Sequence, residues 1–206
     1  MPNDLLSDAL KEAYASAPVD AIPLHTLELD HPTFTTPIRV VRNYEDTATW
    51  REFGDGAVDA VLKALDDPKA EPNPVDMVGL VARLESDAPR DAGKMVSWIA
   101  LGFDLDLPKV NTGASPTLTL TMDNVGRELI GHLDLALETI EPIVVRYRTY
   151  LSTDISGPQS ATHEYTLNQI TITAATITAQ ARLLDIGNRQ FPNKYHTKEL
   201  FPAQAY

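Results

Sequence analysis

The pattern of this 206-residue sequence predicts a mainly β, α+β protein: an antiparallel sheet or barrel-like domain with an N-terminal helix, one internal helix and a helical insertion. Three observations lead there. Two-residue alternation of apolar and polar side chains recurs, most strictly in the second half. Helical periodicity is confined to short windows, and turn-formers such as Asp-His-Pro and Ser-Gly-Pro separate the alternating runs.

Leu5, Leu6, Ala9, Leu10, Ala13 and Tyr14 recur at helical spacing behind Asn3 and Asp4, which suit an N-cap and a first turn, and Pro18 stops the pattern. Residues 22–30 (IPLHTLELD) then alternate, and residues 36–43 (TPIRVVRN) follow across Asp30, His31 and Pro32: strand, turn, strand. This alternation puts Leu24, Leu27 and Leu29 toward the core and His25 toward solvent or an interface. Residues 44–74 break the rhythm. Ala57, Val58, Val61, Leu62 and Leu65 form a short helical stripe after Gly54-Asp55-Gly56, and the closely spaced prolines that follow forbid regular structure, so 44–74 reads as an inserted helix with a loop.

Residues 77–85 and 95–107 return to strand composition around SDAPRDAG, which predicts a hairpin; Val78, Val81, Ala82 and Glu85 in the first also fit a helix. Residues 115–123 (SPTLTLTMD) alternate strictly, with threonines on the polar face. Val125, Leu129, Ile130, Leu133 and Leu137 then share one helical face across 124–137, with Gly131 as its weak point. Residues 142–151, 162–173 and 176–184 are three further alternating runs, most simply antiparallel neighbours. The whole reads as a single domain over 1–206, with 44–74 inserted and 187–206 an extended C-terminal tail.

The formal net charge is −12, which excludes a polybasic nucleic-acid coat, and the absence of cysteine excludes disulfides, thiolate zinc sites and iron–sulfur clusters. No basic-then-apolar leader and no apolar run of membrane length is present, so neither signal peptide nor membrane anchor is expected. Charge is uneven. Residues 44–110 hold fourteen acids and seven bases, whereas 181–206 hold two acids and four bases, giving an acidic body and a locally basic tail.

No nucleophile elbow, phosphate loop, His-Glu-x-x-His or calcium-loop motif occurs, and the five histidines are scattered at non-ligand spacings. Neither a catalytic residue, a cofactor nor a metal is therefore expected, and the abundant carboxylates read first as a solvated face. Trp50 and Phe53, just ahead of the insertion's helix, can staple the insertion down or present a knob to a partner, with the staple favoured. The tail GNRQFPNKYHTKELFP offers Arg189, Phe191, Lys194, Tyr195 and Phe201 as anchors, lying on their own domain or on a neighbouring copy.

Four stretches together, LHTLELDHPTFTTPIRVVRN (24–43), ARLESDAPRDAGKMVSWIALGFDLDLP (82–108), SPTLTLTMDNVGREL (115–129) and ARLLDIGNRQFPNKYHTKELFP (181–202), resemble the small tail-module proteins of siphophages and prophages long filed as a domain of unknown function. The third also resembles, more distantly, the N-terminal part of the lambda minor tail protein L. The resemblance implies a hub-like structural protein of the virion tail, at the tail tip or baseplate, assembled in the bacterial cytoplasm. Its implied partners are the distal tail protein, a central hub or fibre, and further copies of itself, as a trimer. A tail-associated glycan-binding module is the alternative, and a tail-tip hydrolase a weaker one. Two departures matter: without cysteine, the lambda protein's iron–sulfur region has no counterpart, and 44–74 is longer than the family pattern requires.

Overall fold

The computed structural model describes residues 6–18, 20–106, 117–123, 136, 139, 141–173 and 176–183. In chain order these give α1 (Asp8–Ser16), β1 (Pro23–Asp30), β2 (Ile38–Val41), α2 (Thr47–Arg51), α3 (Gly56–Leu65), a 3₁₀ turn (Pro74–Met77), β3 (Val78–Arg83), β4 (Met95–Ala100), β5 (Phe103–Asp106), β6 (Thr117–Asp123), β7 (Val144–Leu151), β8 (His163–Ile172) and β9 (Thr176–Leu183). The protein is mainly β, as its alternation predicts. The strands form one nine-stranded sheet in the order β3-β4-β2-β1-β7-β8-β9-β6-β5.

Two refinements concern the sheet. It is mixed, because β2 and β4 run parallel (Val40 opposite Ile99) while the other pairs are antiparallel. It is also an open curl rather than a closed barrel. β4 and β5 stand near opposite ends of the strand order, yet only Leu101 and Gly102 separate them in sequence, so the sheet has to curl until its ends nearly meet. The link is stitched on both sides. Leu101 N–H donates to the Val41 carbonyl at 3.0 Å, and Asp123 N–H donates to the Gly102 carbonyl at 3.0 Å. A Cβ at Gly102 would press on the Asp123 carboxylate, which would have to swing aside. No ladder joins β2 to β5 among the described residues, which leaves a seam. The expected strand over 95–107 is therefore two strands, divided by the link.

The curl encloses one apolar core, built from Leu27 and Leu29 of β1, Val40, Phe103, Leu118 and Leu120 of β6, Val145, Leu167 and Ile177. A second core lies on the other face of the sheet. There Leu24, Val41, Leu80, Trp98 and Tyr150 pack against Trp50 of α2 and Val58 and Leu62 of α3. The inserted segment is the outer layer of this second core, because its helical stripe and Trp50 meet an apolar sheet face opposite them. β1 is thus buried on both faces, and Leu24 points away from Leu27 and Leu29, as the two-residue period requires.

Local chemistry sets the helix ends. α1 starts at Ser7, whose Oγ accepts from Leu10 N–H at 3.1 Å, rather than at Asn3-Asp4, which lie outside the described residues. Its last turn closes on Ala17 in the left-handed region (φ 43°) immediately before Pro18. Asp46 and Asp55 cap α2 and α3 in the same manner, accepting from Ala48 N–H and Ala57 N–H. Within 77–85, Val78–Arg83 form a strand and no helix. At its second residue, Gly79, a Cβ would collide with the Asn43 carbonyl, a close approach only glycine permits. The helix expected over 124–137 falls outside the described residues except for Ala136, which is buried in the inner core.

Candidate functional site

The predicted interface residues divide sharply. Trp50 has no exposed surface and takes the staple position, its indole among Val58, Leu62 and the β3–β4 side chains, so it cannot itself be touched by a partner. Phe53 stacks on it with ring centroids 6.3 Å apart and is 39% exposed, leaving Phe53 as the accessible member of the pair. Arg189, Phe191, Lys194, Tyr195 and Phe201 lie outside the described residues.

The densest polar chemistry is elsewhere, on the outer face of β1 and β7. Glu28 of β1 is fully buried, and its carboxylate accepts from Arg39 Nε at 2.9 Å and Arg146 Nη1 at 3.2 Å, with Arg148 Nη2 at 3.6 Å. This follows from register. Glu28 is the direct cross-strand partner of Arg39 on β2 and of Arg146 on β7, so one acid is flanked by a base on each side. The β3–β4 hairpin loop covers the row and completes it. Its Glu85 takes three contacts from the fully buried Arg148, at 2.7, 2.8 and 2.9 Å, and one from Thr162 Oγ1 at 3.0 Å. Asp91 accepts from Arg39 Nη2 at 2.8 Å, while Arg90 lies 3.2 Å from the Asp30 carboxylate and donates to the Phe34 carbonyl at 2.8 Å. Arg146 also reaches Asp30 and Glu164, each at 3.1 Å.

Protonation follows from these partners. Burial alone would raise the Glu85 carboxyl, but hydrogen bonds from Arg148, from its own backbone and from Thr162, with the Arg148 charge, outweigh it and hold Glu85 below the ordinary glutamate range. The hydrogen bond from Arg39, above all, holds Asp91 below its ordinary range, aided by Lys94. Tyr150, at the apolar end of the same face, is pushed up by burial and donates to the Arg83 carbonyl at 3.2 Å. Removing one partner from such a set strands a buried charge, at a cost of about 3–5 kcal/mol. The set is an internal lock tying a loop to three strands, β1, β2 and β7. Sequence reading assigns Glu28, Asp30, Arg146 and Arg148 no functional role. The signal that marks them is opposite charge at the same parity of adjoining strands.

His31 behaves similarly on a smaller scale. It is 2% exposed, with Nδ1 2.7 Å from Thr33 Oγ1 and Nε2 3.0 Å from both the Glu141 carbonyl and Thr139 Oγ1, so it staples the β1–β2 turn to the approach of β7.

A pocket of about 510 Å³ opens at the seam. His25, expected toward solvent or an interface, is half-buried there, on the same face of β1 as Leu27 and Leu29 and beside Phe103 and Tyr147. Its Nδ1 lies 2.6 Å from Tyr147 Oη, the two rings stack at 5.9 Å, and Tyr147 stacks in turn on His163 at 6.4 Å. Burial, with a smaller contribution from the Arg42 charge, lowers the His25 pKa, which keeps the ring neutral at pH 7. Across the seam Arg42 meets Asp104 at 3.3 Å. Among the described residues no three His, Asp or Glu are grouped to hold a metal ion, and no helix is long and apolar enough to cross a membrane.

Fold and interior together define a curled β scaffold whose covering loop is locked by buried ion pairs. Over residues 9–196 the chain matches the model of a family described as a domain of unknown function (DUF1833), and it belongs to that family. No match was found among curated proteins.

Proposed function

We propose that the chain is a structural protein of the distal tail of a long-tailed bacteriophage, placed at the tail tip or baseplate hub between the distal tail protein and the central hub or fibre. One observation carries the reading. The first two stretches that resemble phage tail modules, 24–43 and 82–108, supply Glu28, Asp30 and Arg39 on one side and Glu85, Arg90 and Asp91 on the other, and these meet in the buried lock. What resembles the tail modules is therefore the device that ties the covering loop to the sheet, as suits a part whose work is geometric. On this reading copies assemble around the tail axis as a trimer, contacts run through surfaces such as Phe53 and the basic tail, and the protein travels with the virion after assembly in the host cytoplasm.

The test is localisation in the particle. Electron microscopy of virions labelled through this chain is expected to show density only at the distal end of the tail, and particles lacking the protein should have undecorated or missing tips. Density in the capsid or along the tube would end the proposal.

A further inference from the structure

The neutral His25 ring at the seam has a definite polarity. A phenol is the better donor and an imidazole nitrogen the better acceptor, so Tyr147 O–H donates to His25 Nδ1 across their 2.6 Å contact. The proton of the neutral ring is then on Nε2, which has no hydrogen-bond partner among the described residues. Beside it stands a second donor. Arg42 is the cross-strand neighbour of His25, its N–H donating to the His25 carbonyl at 3.1 Å, so both side chains emerge on the same face of the β1–β2 pair and line the same pocket. Two N–H-bearing side chains thus line one pocket beside the buried Phe103 and the half-buried Leu105; Arg42 donates to the exposed Asp104, and no acceptor for His25 Nε2 stands among the described residues.

We propose that this pocket binds a small organic carboxylate, its oxygens accepting from His25 Nε2–H and the Arg42 guanidinium and its apolar body resting on Phe103 and Leu105. A planar two-oxygen acceptor suits a guanidinium fork beside a single N–H. The apolar floor calls for an organic body, and the volume lies within the range of small-molecule sites. A dianion such as phosphate is disfavoured by Asp104 at the rim and by a net charge of −12. Asp104 currently occupies Arg42, but at 3.3 Å, with side chains 79% and 58% exposed, this is a weak surface pair that an entering carboxylate displaces. The inference is independent of the tail proposal and survives its failure.

The experiment is a titration of the full-length chain, followed by NMR, with benzoate as probe and benzamide as its uncharged isostere. Benzoate is expected to shift the His25 ring and the amides of Arg42 and Phe103, and benzamide to leave them unmoved. Arg42→Gln should weaken benzoate binding by about tenfold or more, the loss of one charge-assisted contact. Asp104→Asn removes the competing carboxylate and should tighten binding. Equal response to both probes, no response of the folded native chain to benzoate, undiminished binding in a folded Arg42→Gln, or weaker binding in Asp104→Asn would each overturn the proposal.

Discussion

The two faces of β1 are buried alike and built from opposite chemistry. Leu27 and Leu29 point into the curl among Val40, Val145 and Leu118, whereas Thr26 and Glu28, equally hidden, point outward into the row of arginines beneath the β3–β4 loop. The inner face is held by contact area, which is non-directional and tolerates any well-packed apolar substitute. The outer face is held by directed, charged bonds that name their partners. Burial alone therefore says little about how a surface of this protein resists change.

That difference can be attacked directly. The largest effect is expected from Glu28→Ala, which leaves Arg39, Arg146 and Arg148 around an empty position and should cost about 3–5 kcal/mol by urea unfolding; a loss below about 1 kcal/mol would reduce the lock to a bystander. Leu29→Ala on the inner face should cost about 2–5 kcal/mol, and its cost should be unaffected by pH, in contrast to the outer face.

Acid sharpens the contrast further. Because Glu85 and Asp91 are held below their ordinary pKa values when folded, the unfolded chain takes up protons first, and the stabilisation these groups give is complete above the ordinary carboxylate range, about pH 4. It is lost as pH falls through their depressed folded values. Thermal unfolding followed from pH 7 downward should show that loss, and Glu85→Gln, less stable at pH 7, should show a shallower one. Equal slopes for the two proteins would detach the acid response from the lock. The smallest effect belongs to Phe53→Ser, exposed at the edge of the second core, at about 0.5 kcal/mol or less on stability. A tail-tip defect in virions carrying that folded variant would assign Phe53 to a contact between subunits; normal tips would leave it a surface residue.

How much of this was legible follows from the physics of alternation. A two-residue period reveals that a segment is a strand and which residues share a face, so β1, β2 and β6 to β9 are readable within a residue or two of their ends. It does not reveal what lies over a face. Charged residues are mostly exposed, so nothing in the pattern marks Glu28 and Arg148 as buried, and Glu85 of the loop that covers them is 63 residues from Arg148 in sequence. α2 is not legible because five residues give no periodicity, although Asp46 marks its cap. The break at Leu101–Gly102 was hidden because both flanking segments alternate, and only the strand order exposes the change of partner. At the seam, parity puts His25 on the face of Leu27 and Leu29, and the strand that half-buries it, β5, is remote in sequence.

The spacing of the lock's members has a consequence in the order of synthesis. Glu28 and its partner Arg146 are 118 residues apart, so at roughly 5–20 residues per second the acid leaves the ribosome some 6–24 s before that arginine. Throughout that interval β1 lacks its β7 neighbour and presents a free edge, the kind of strand that pairs with other nascent chains. Carboxylates at Glu28 and Asp30 keep that waiting strand hydrated and mutually repellent among copies. The same charges that end as a buried lock thus serve first to keep an unfinished sheet apart from its neighbours.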